Sequence, residues 1–233
     1  ATLEFLQEQL ELLQEKDYID NACIEEAIDK KIFKGNRSKE DHFKDDKRIV
    51  AYHEAGHAIL FHVLPDVGPV YTVSIIPTGA GAAGYTMPLP EKDEMFLTRG
   101  KMLQDIMVSL GGRIAEEIIF DDITTGASSD IKKATKVARK MVTKFGMSQN
   151  IGVINYDNED DEVFIGRDLA HTRSHSEVVA GEIDREVKSI IDECYAKAKE
   201  IILKHEDVLH RAAVLLLEKE KITREEFEEL FEA

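Results

Sequence analysis

The sequence predicts a mainly α-helical fold with a small β-sheet, and two patterns of apolar residues support this prediction. Between residues 45 and 65, and again over most of the chain after residue 97, apolar residues recur every three or four positions, which is the spacing of one face of an α-helix. Residues 70–76 instead form a continuous β-branched and apolar run, typical of a buried strand. A second, shorter strand is predicted at residues 85–87, before Pro88.

The predicted helices have recognisable ends. Pro65 ends the first of them, and Gly146 is expected to end the helix that carries the apolar residues from 131 to 145. Thr223 and Glu226 have the spacing of a capping box, which opens the last helix. The predicted helical segments of the main domain are about 45–64, 97–120, 131–145, 176–204, 206–219 and the residues after 223.

Two short segments precede the main domain, which is predicted to span residues 45–233. Leucines at positions 3, 6, 10 and 13 form an apolar seam of two heptads, and a second helix is predicted up to residue 34. Residues 1–36 are therefore expected to form a helical appendage. The stretch from Gly35 to Lys39 is typical of a linker, so residues 37–44 are expected to connect the two parts.

The composition argues against some classes of partner. The 233 residues carry 30 Lys and Arg against 46 Asp and Glu, a formal net charge of −16, so nucleic-acid phosphates would be repelled. No stretch approaches the roughly 20 apolar residues that span a bilayer, and the chain as given is expected to be soluble. Cys23 and Cys194 belong to no C-x-x-C pair, so we expect packed thiols in a reducing compartment rather than a disulfide.

The residues that carry the chemistry lie in the first helix of the main domain. His53 and His57 are four positions apart, about one helical turn, so both imidazoles project from one face and can bind the same zinc ion. Glu54 lies about 100° around the helix, where it can act on a metal-activated water without being a ligand. A glycine inside a helix costs about 1 kcal/mol relative to alanine, so Gly56 indicates close approach by another element.

A zinc site also needs a third protein ligand, and spacing alone leaves two candidates. Glu116 follows Gly111-Gly112, where close packing against the first helix is expected, and Asp130 opens a later helix. His62 would point to the opposite side of its helix from His53, so it is not expected to bind the metal. A second histidine pair, at positions 171 and 175, lacks the intervening Glu and is predicted to be a surface or interface pair.

Further motifs follow in a fixed order along the chain. They are H-E-A-G-H at 53–57, I-I-P at 75–77, G-Y-T at 84–86, G-G-R-I-A-E-E-I at 111–118, T-G-A-S-S-D-I at 125–131, V-F-I-G-R at 163–167 and I-D-R-E-V at 183–187. Together they resemble the peptidase domain of the FtsH family, the membrane-anchored AAA+ zinc proteases, over about residues 45–230. The fold class that this resemblance implies is a helical zinc-metallopeptidase domain.

The resemblance implies roles that spacing cannot assign. Asp130 would be the third zinc ligand, and Glu116 would instead orient a ligand histidine. The short strand at Gly84, Tyr85 and Thr86 would be the edge on which an extended substrate pairs. The reaction implied is peptide-bond hydrolysis by a zinc-dependent endopeptidase.

Family members are homo-hexamers with one zinc ion per subunit. The resemblance implies that they degrade unfolded proteins, or proteins extracted from the membrane, and use ATP to deliver them. It also implies a location on the cytoplasmic side of a bacterial inner membrane, or at an organellar inner membrane.

The chain departs from the family at its N-terminal end. It contains no G-x-x-x-x-G-K-[ST] loop, so we expect that ATP is bound by an ATPase domain outside this chain and that membrane contact is made only by other segments. Residues 18–34 loosely resemble the last helix of the ATPase small subdomain, whereas the leucine-rich helix before them does not match. The alternative to an enzyme is a non-catalytic ring-forming scaffold or chaperone module, which would not hold zinc.

Overall fold

The computed structural model describes residues 44–77, 83–89, 96–157 and 176–232. Within these ranges the chain forms six α-helices, a three-stranded sheet and one 3-10 turn at Thr125–Ala127. The helices are α1 (Lys44–Val63), α2 (Arg99–Phe120), α3 (Ser128–Thr143), α4 (Glu177–Lys204), α5 (Glu206–Lys219) and α6 (Arg224–Glu232). The strands are β1 (Val70–Ser74), β2 (Tyr85–Pro88) and β3 (Lys221–Thr223). The predicted mainly α fold with a small sheet is confirmed.

Helices α1 and α2 touch through their backbones at a pair of glycines. A Cβ atom on Gly56 would lie 2.5 Å from the carbonyl oxygen of Gly111, and a Cβ atom on Gly111 would lie 2.8 Å from that of Gly56. Both distances are shorter than van der Waals contact, so only glycine fits at either position. The expectation that Gly56 marks a close approach is confirmed. This contact brings α2 against the helix that carries His53 and His57.

The sheet is antiparallel, with β1 between β2 and β3. Val73 of β1 is opposite Thr86 of β2 on one side and Ile222 of β3 on the other. Strand β1 ends at Ser74, two residues before the end of the apolar run that predicted it. Strand β2 confirms the short strand expected before Pro88. Strand β3 was not predicted, because three residues are too short a run to indicate a strand and it is held by pairing with a strand about 150 positions earlier.

The helix bounds agree with the sequence to within two residues except at α3, which begins at Ser128, three residues before the predicted start. That helix ends at Thr143, three residues before Gly146, which adopts a φ of +58° in the turn that follows. The capping box before α6 is confirmed, because the Thr223 amide donates to the Glu226 carboxylate at 2.9 Å and the Glu226 amide to the Thr223 hydroxyl at 3.4 Å.

Several expectations concern residues outside the described ranges. Outside the described ranges lie the appendage at 1–36, which includes Cys23, and the linker at 37–44 up to the start of α1. The histidines at 171 and 175 lie outside them as well. Cys194 is buried, as expected for a packed thiol. In the part of the chain that the structure describes, no helix combines the length and the apolar character that crossing a bilayer requires.

Candidate metal centre

Helix α1 presents its two histidines side by side at the floor of a cleft. Their Nε2 atoms are 3.1 Å apart, and each side chain is about nine-tenths buried, with 12% of His53 and 10% of His57 exposed. The four-residue spacing places both rings on one face of the helix, as the sequence predicted. His62, by contrast, stacks on Phe231 of α6, with 3.9 Å between ring centroids, and faces away from the pair.

Asp130 approaches the two histidines from the first turn of α3. The Thr124 hydroxyl accepts from the Gly126 amide and so begins the 3-10 turn that leads into this helix. The Asp130 Oδ2 atom then lies 3.3 Å from His53 Nε2 and 3.7 Å from His57 Nε2. The three ligand atoms lie within 4.8 Å of one another, and they form the one such group found among the described residues.

The other nitrogen of each imidazole has its own partner. His57 Nδ1 is 2.7 Å from the carbonyl oxygen of Val108, which can only accept, so Nδ1 carries the proton. His53 Nδ1 is 2.7 Å from Glu116 Oε1, and the second Glu116 oxygen accepts from the Thr124 amide at 2.8 Å. In their neutral forms both rings therefore direct unprotonated Nε2 atoms toward Asp130.

These three atoms fit a divalent metal ion such as zinc. Two imidazole lone pairs and a carboxylate oxygen facing one another repel unless a cation lies between them. Ligand atoms on a tetrahedral zinc ion with bonds of about 2.0–2.1 Å lie about 3.3–3.4 Å apart. The observed separations of 3.1, 3.3 and 3.7 Å bracket that value. Glu116 lies on the opposite edge of the His53 ring and does not reach the point that the two Nε2 atoms share.

Close packing against α2 restricts the orientation of the His53 ring, in addition to the ring's hydrogen bonds. A Cβ atom on Gly112 of α2 would lie 2.4 Å from the Cε1 and Nε2 atoms of the ring. The absence of a side chain at Gly112 therefore creates the space that the imidazole occupies. From the same helix, the Glu116 carboxylate contacts the ring at its Nδ1 edge.

The charges in the cluster favour a bound cation. Although burial opposes the charged form of His53, its hydrogen bonds to Asp130 and Glu116 raise its pKa to about 10. Burial likewise opposes ionisation of Asp130, but its hydrogen bond to His53 and the nearby His57 imidazole hold its pKa well below the usual value. The carboxylate is thus ionised, and the site attracts positive charge.

Glu54 lies beside this cluster without joining it. It is 6% exposed, and burial raises the pKa of its carboxyl group, an effect that the nearby histidines oppose. Its Oε2 atom accepts from the Thr86 hydroxyl of β2 at 2.8 Å. Glu54 is therefore turned toward the sheet, next to the point where the metal ligands converge.

Strand β2 forms one wall of the cleft, which has a volume of about 610 Å³ and contains His53, Glu54, His57 and Asp130. Gly84, Tyr85 and Thr86 line this wall, and β2 is an edge strand of the sheet. The strand expected to pair with substrate therefore lies along the same cleft as the predicted metal ligands.

The structure thus brings together every residue that the sequence singled out for chemistry. Two contacts were not foreseen: the Val108 carbonyl at His57 and the Thr86 hydroxyl at Glu54. The first involves a backbone atom, and nothing in a side-chain pattern indicates it. The second joins a helix to a strand 32 positions away, although the G-Y-T motif did mark the segment as functional. The individual roles stay predictions.

Comparison with known proteins places the chain among proteases. The family described as Peptidase family M41 matches residues 42–230. The chain is 49% identical over 215 residues to the "ATP-dependent zinc metalloprotease FtsH" of Caldicellulosiruptor bescii, covering 92% of this chain and 35% of that protein. It is 46% identical over 234 residues to "ATP-dependent zinc metalloprotease FtsH 1" of a Thermoanaerobacter species, covering 99% of this chain and 38% of the relative.

A third relative is the "ATP-dependent zinc metalloprotease FtsH" of Thermotoga maritima. It is 43% identical over 243 residues, covering 100% of this chain and 40% of the relative. The chain therefore spans roughly two-fifths or less of the length of these relatives. The family resemblance drawn from the motifs is confirmed, and the chain belongs to peptidase family M41.

Proposed function

We propose that the domain is a zinc endopeptidase in which His53, His57 and Asp130 hold one zinc ion and Glu54 is the general base. The observation that carries this proposal is the convergence of two imidazole nitrogens and a carboxylate oxygen within 4.8 Å, beside a buried glutamate. When bound, zinc lowers the pKa of a water molecule and polarises the substrate carbonyl.

The protein's own residues supply the proton transfers. A carboxylate oxygen of Glu54 takes a proton from the attacking water and delivers it to the leaving amine nitrogen when the peptide bond breaks. Burial suits Glu54 to this alternation, because it raises the pKa of the carboxyl group and so strengthens the base. Glu116 and the Val108 carbonyl keep the two histidines in one orientation and tautomer.

We further propose that the domain is the proteolytic part of a longer, ATP-dependent protease. The relatives carry that activity in their names, and this chain corresponds to at most 40% of their length. On this proposal the substrates are unfolded proteins and proteins extracted from a membrane. They would pair as extended strands with the edge of β2, on the cytoplasmic side of a bacterial inner membrane or at an organellar inner membrane.

Metal removal tests the zinc proposal directly. Dialysis of the purified chain against a chelator should abolish its cleavage of an unfolded protein such as casein, and one equivalent of zinc should restore it. Metal analysis of the untreated protein should give about one zinc per chain. A purified protein without stoichiometric zinc would instead support the non-catalytic scaffold, which the intact ligand set and the base Glu54 do not favour.

Assembly into a homo-hexamer is proposed from the family resemblance. Sedimentation velocity of the chain over a range of concentrations should reveal a species of about six times the mass of one chain. Sedimentation as a monomer at every concentration would contradict hexamer formation by this part of the protein.

A further inference from the structure

The carboxylate of Glu54 is contacted on both oxygens by one short segment of the sheet. Its Oε2 atom lies 2.8 Å from the Thr86 hydroxyl. Its Oε1 atom packs so closely on the backbone at Gly84 that a Cβ atom there would lie only 2.9 Å away. The segment from Gly84 to Thr86 therefore holds the Glu54 side chain as well as lining the cleft.

A glutamate at this position needs such a contact to stay in one orientation. Its carboxylate is joined to α1 through three rotatable bonds, and it lies next to two imidazoles that attract it. The Thr86 hydroxyl is a side-chain donor within hydrogen-bond distance of this carboxylate. An ionised carboxylate accepts hydrogen bonds only, so a hydroxyl donor suits it.

The Thr86 hydroxyl is itself held by the sheet and by the helix. Thr86 is paired with Val73 of β1, which fixes its backbone, and its β-branched side chain has few rotamers available. Its oxygen also lies 3.1 Å from the backbone carbonyl of Glu54, and its single proton is shared between this carbonyl and the nearer carboxylate oxygen at 2.8 Å. The position of the carboxylate is thus set by β2 and not by α1 alone.

We infer that Thr86 is a positioning residue for the general base: its hydroxyl, with the space left by Gly84, holds the Glu54 carboxylate in the orientation that proton transfer requires. The inference rests on the proposed zinc endopeptidase function. It adds a second role to a segment for which the family resemblance implies only substrate pairing. The strand that is expected to align the substrate backbone then also aligns the base, so both are fixed relative to each other.

Replacement of Thr86 by valine tests this role, because valine keeps the shape and the β-branching but has no hydroxyl. With the zinc-loaded chain and a short fluorogenic peptide, we expect kcat to fall by about 10- to 100-fold, the range for loss of a hydrogen bond to a charged group. KM and the zinc content should be unchanged, because the strand backbone and the metal ligands stay in place. Thr86→Ser, which restores a hydroxyl, should recover most of kcat.

A matched control is available in the neighbouring strand. Thr72 of β1 is also buried, and its hydroxyl donates to the Ile222 carbonyl at 3.0 Å, away from Glu54. Thr72→Val should lower the melting temperature and leave kcat unchanged. Comparison of Thr86→Val with Thr72→Val distinguishes the effect of losing a hydroxyl in the sheet from the effect of losing the contact with Glu54.

A crystal structure of the zinc-loaded Thr86→Val chain gives a readout that does not depend on activity. We expect the Glu54 carboxylate to leave its position against Gly84 or to occupy more than one rotamer. An unmoved carboxylate, or a kcat equal to that of the parent chain, would overturn the inference. The proposed function would survive that result as long as activity still required zinc and the Glu54 carboxylate, so the two ideas fail separately.

Discussion

Replacement of Glu54 by glutamine should abolish proteolysis and leave zinc binding intact. Glutamine has almost the same shape and can still accept from the Thr86 hydroxyl, but it cannot take a proton from water. General acid and base groups contribute about 10²- to 10⁴-fold to rate, so cleavage of casein should fall by about that factor. Because Glu54 is not among the three converging ligand atoms, metal analysis should still give the zinc content of the parent chain.

A glutamate outside the cleft serves as the control for this substitution. Glu117 of α2 contacts Lys199 at 2.9 Å and also accepts from the Tyr195 hydroxyl, on the side of α2 that faces α4. Glu117→Gln should lower stability slightly and leave cleavage unchanged. Undiminished cleavage by Glu54→Gln would remove Glu54 from the mechanism, and a simultaneous loss of zinc would show that it supports the site rather than the chemistry.

Local spacing was sufficient to predict that the side chains of His53, Glu54 and His57 lie close together. His53, Glu54 and His57 lie within five positions of one helix, and the period of 3.6 residues fixes their relative directions before any tertiary contact forms. The same reasoning predicted the close approach at Gly56, because a glycine inside a helix weakens it unless another backbone needs the space. Both conclusions depend on residues within a few positions of each other.

The rest of the site depends on contacts between distant elements, which spacing does not encode. Asp130 lies 77 positions after His53. Residue type and spacing alone left Asp130 and Glu116 as equal candidates for the third metal ligand. The family resemblance was needed to separate them. Strand β3 was missed for the same reason, since its three residues become a strand only by pairing with β1. The contact between the Thr86 hydroxyl and Glu54 was not foreseen, because it joins residues 32 positions apart on different elements.

Substitutions at Asp130 and Glu116 should rank in one order by their loss of zinc affinity and in the reverse order by their loss of stability without zinc. Asp130→Asn should weaken zinc binding more strongly than Glu116→Gln, because the Asp130 oxygen faces both Nε2 atoms whereas Glu116 contacts only the far nitrogen of His53. Loss of a partner that orients a ligand costs about 10- to 100-fold in metal affinity, so the Asp130 variant should exceed that range. Competition with a chromophoric chelator measures both affinities.

The stability of the metal-free chain should show the reverse order. Glu116 is 1% exposed and accepts from both His53 and the Thr124 amide, whereas the Asp130 side chain is 25% exposed. Glutamine has a single acceptor oxygen, so one of the two buried donors loses its partner, which costs about 1–3 kcal/mol. Thermal unfolding without zinc should therefore show a larger drop for Glu116→Gln. If Glu116→Gln instead caused the greater loss of zinc affinity, Glu116 would be the ligand and Asp130 the residue beside it.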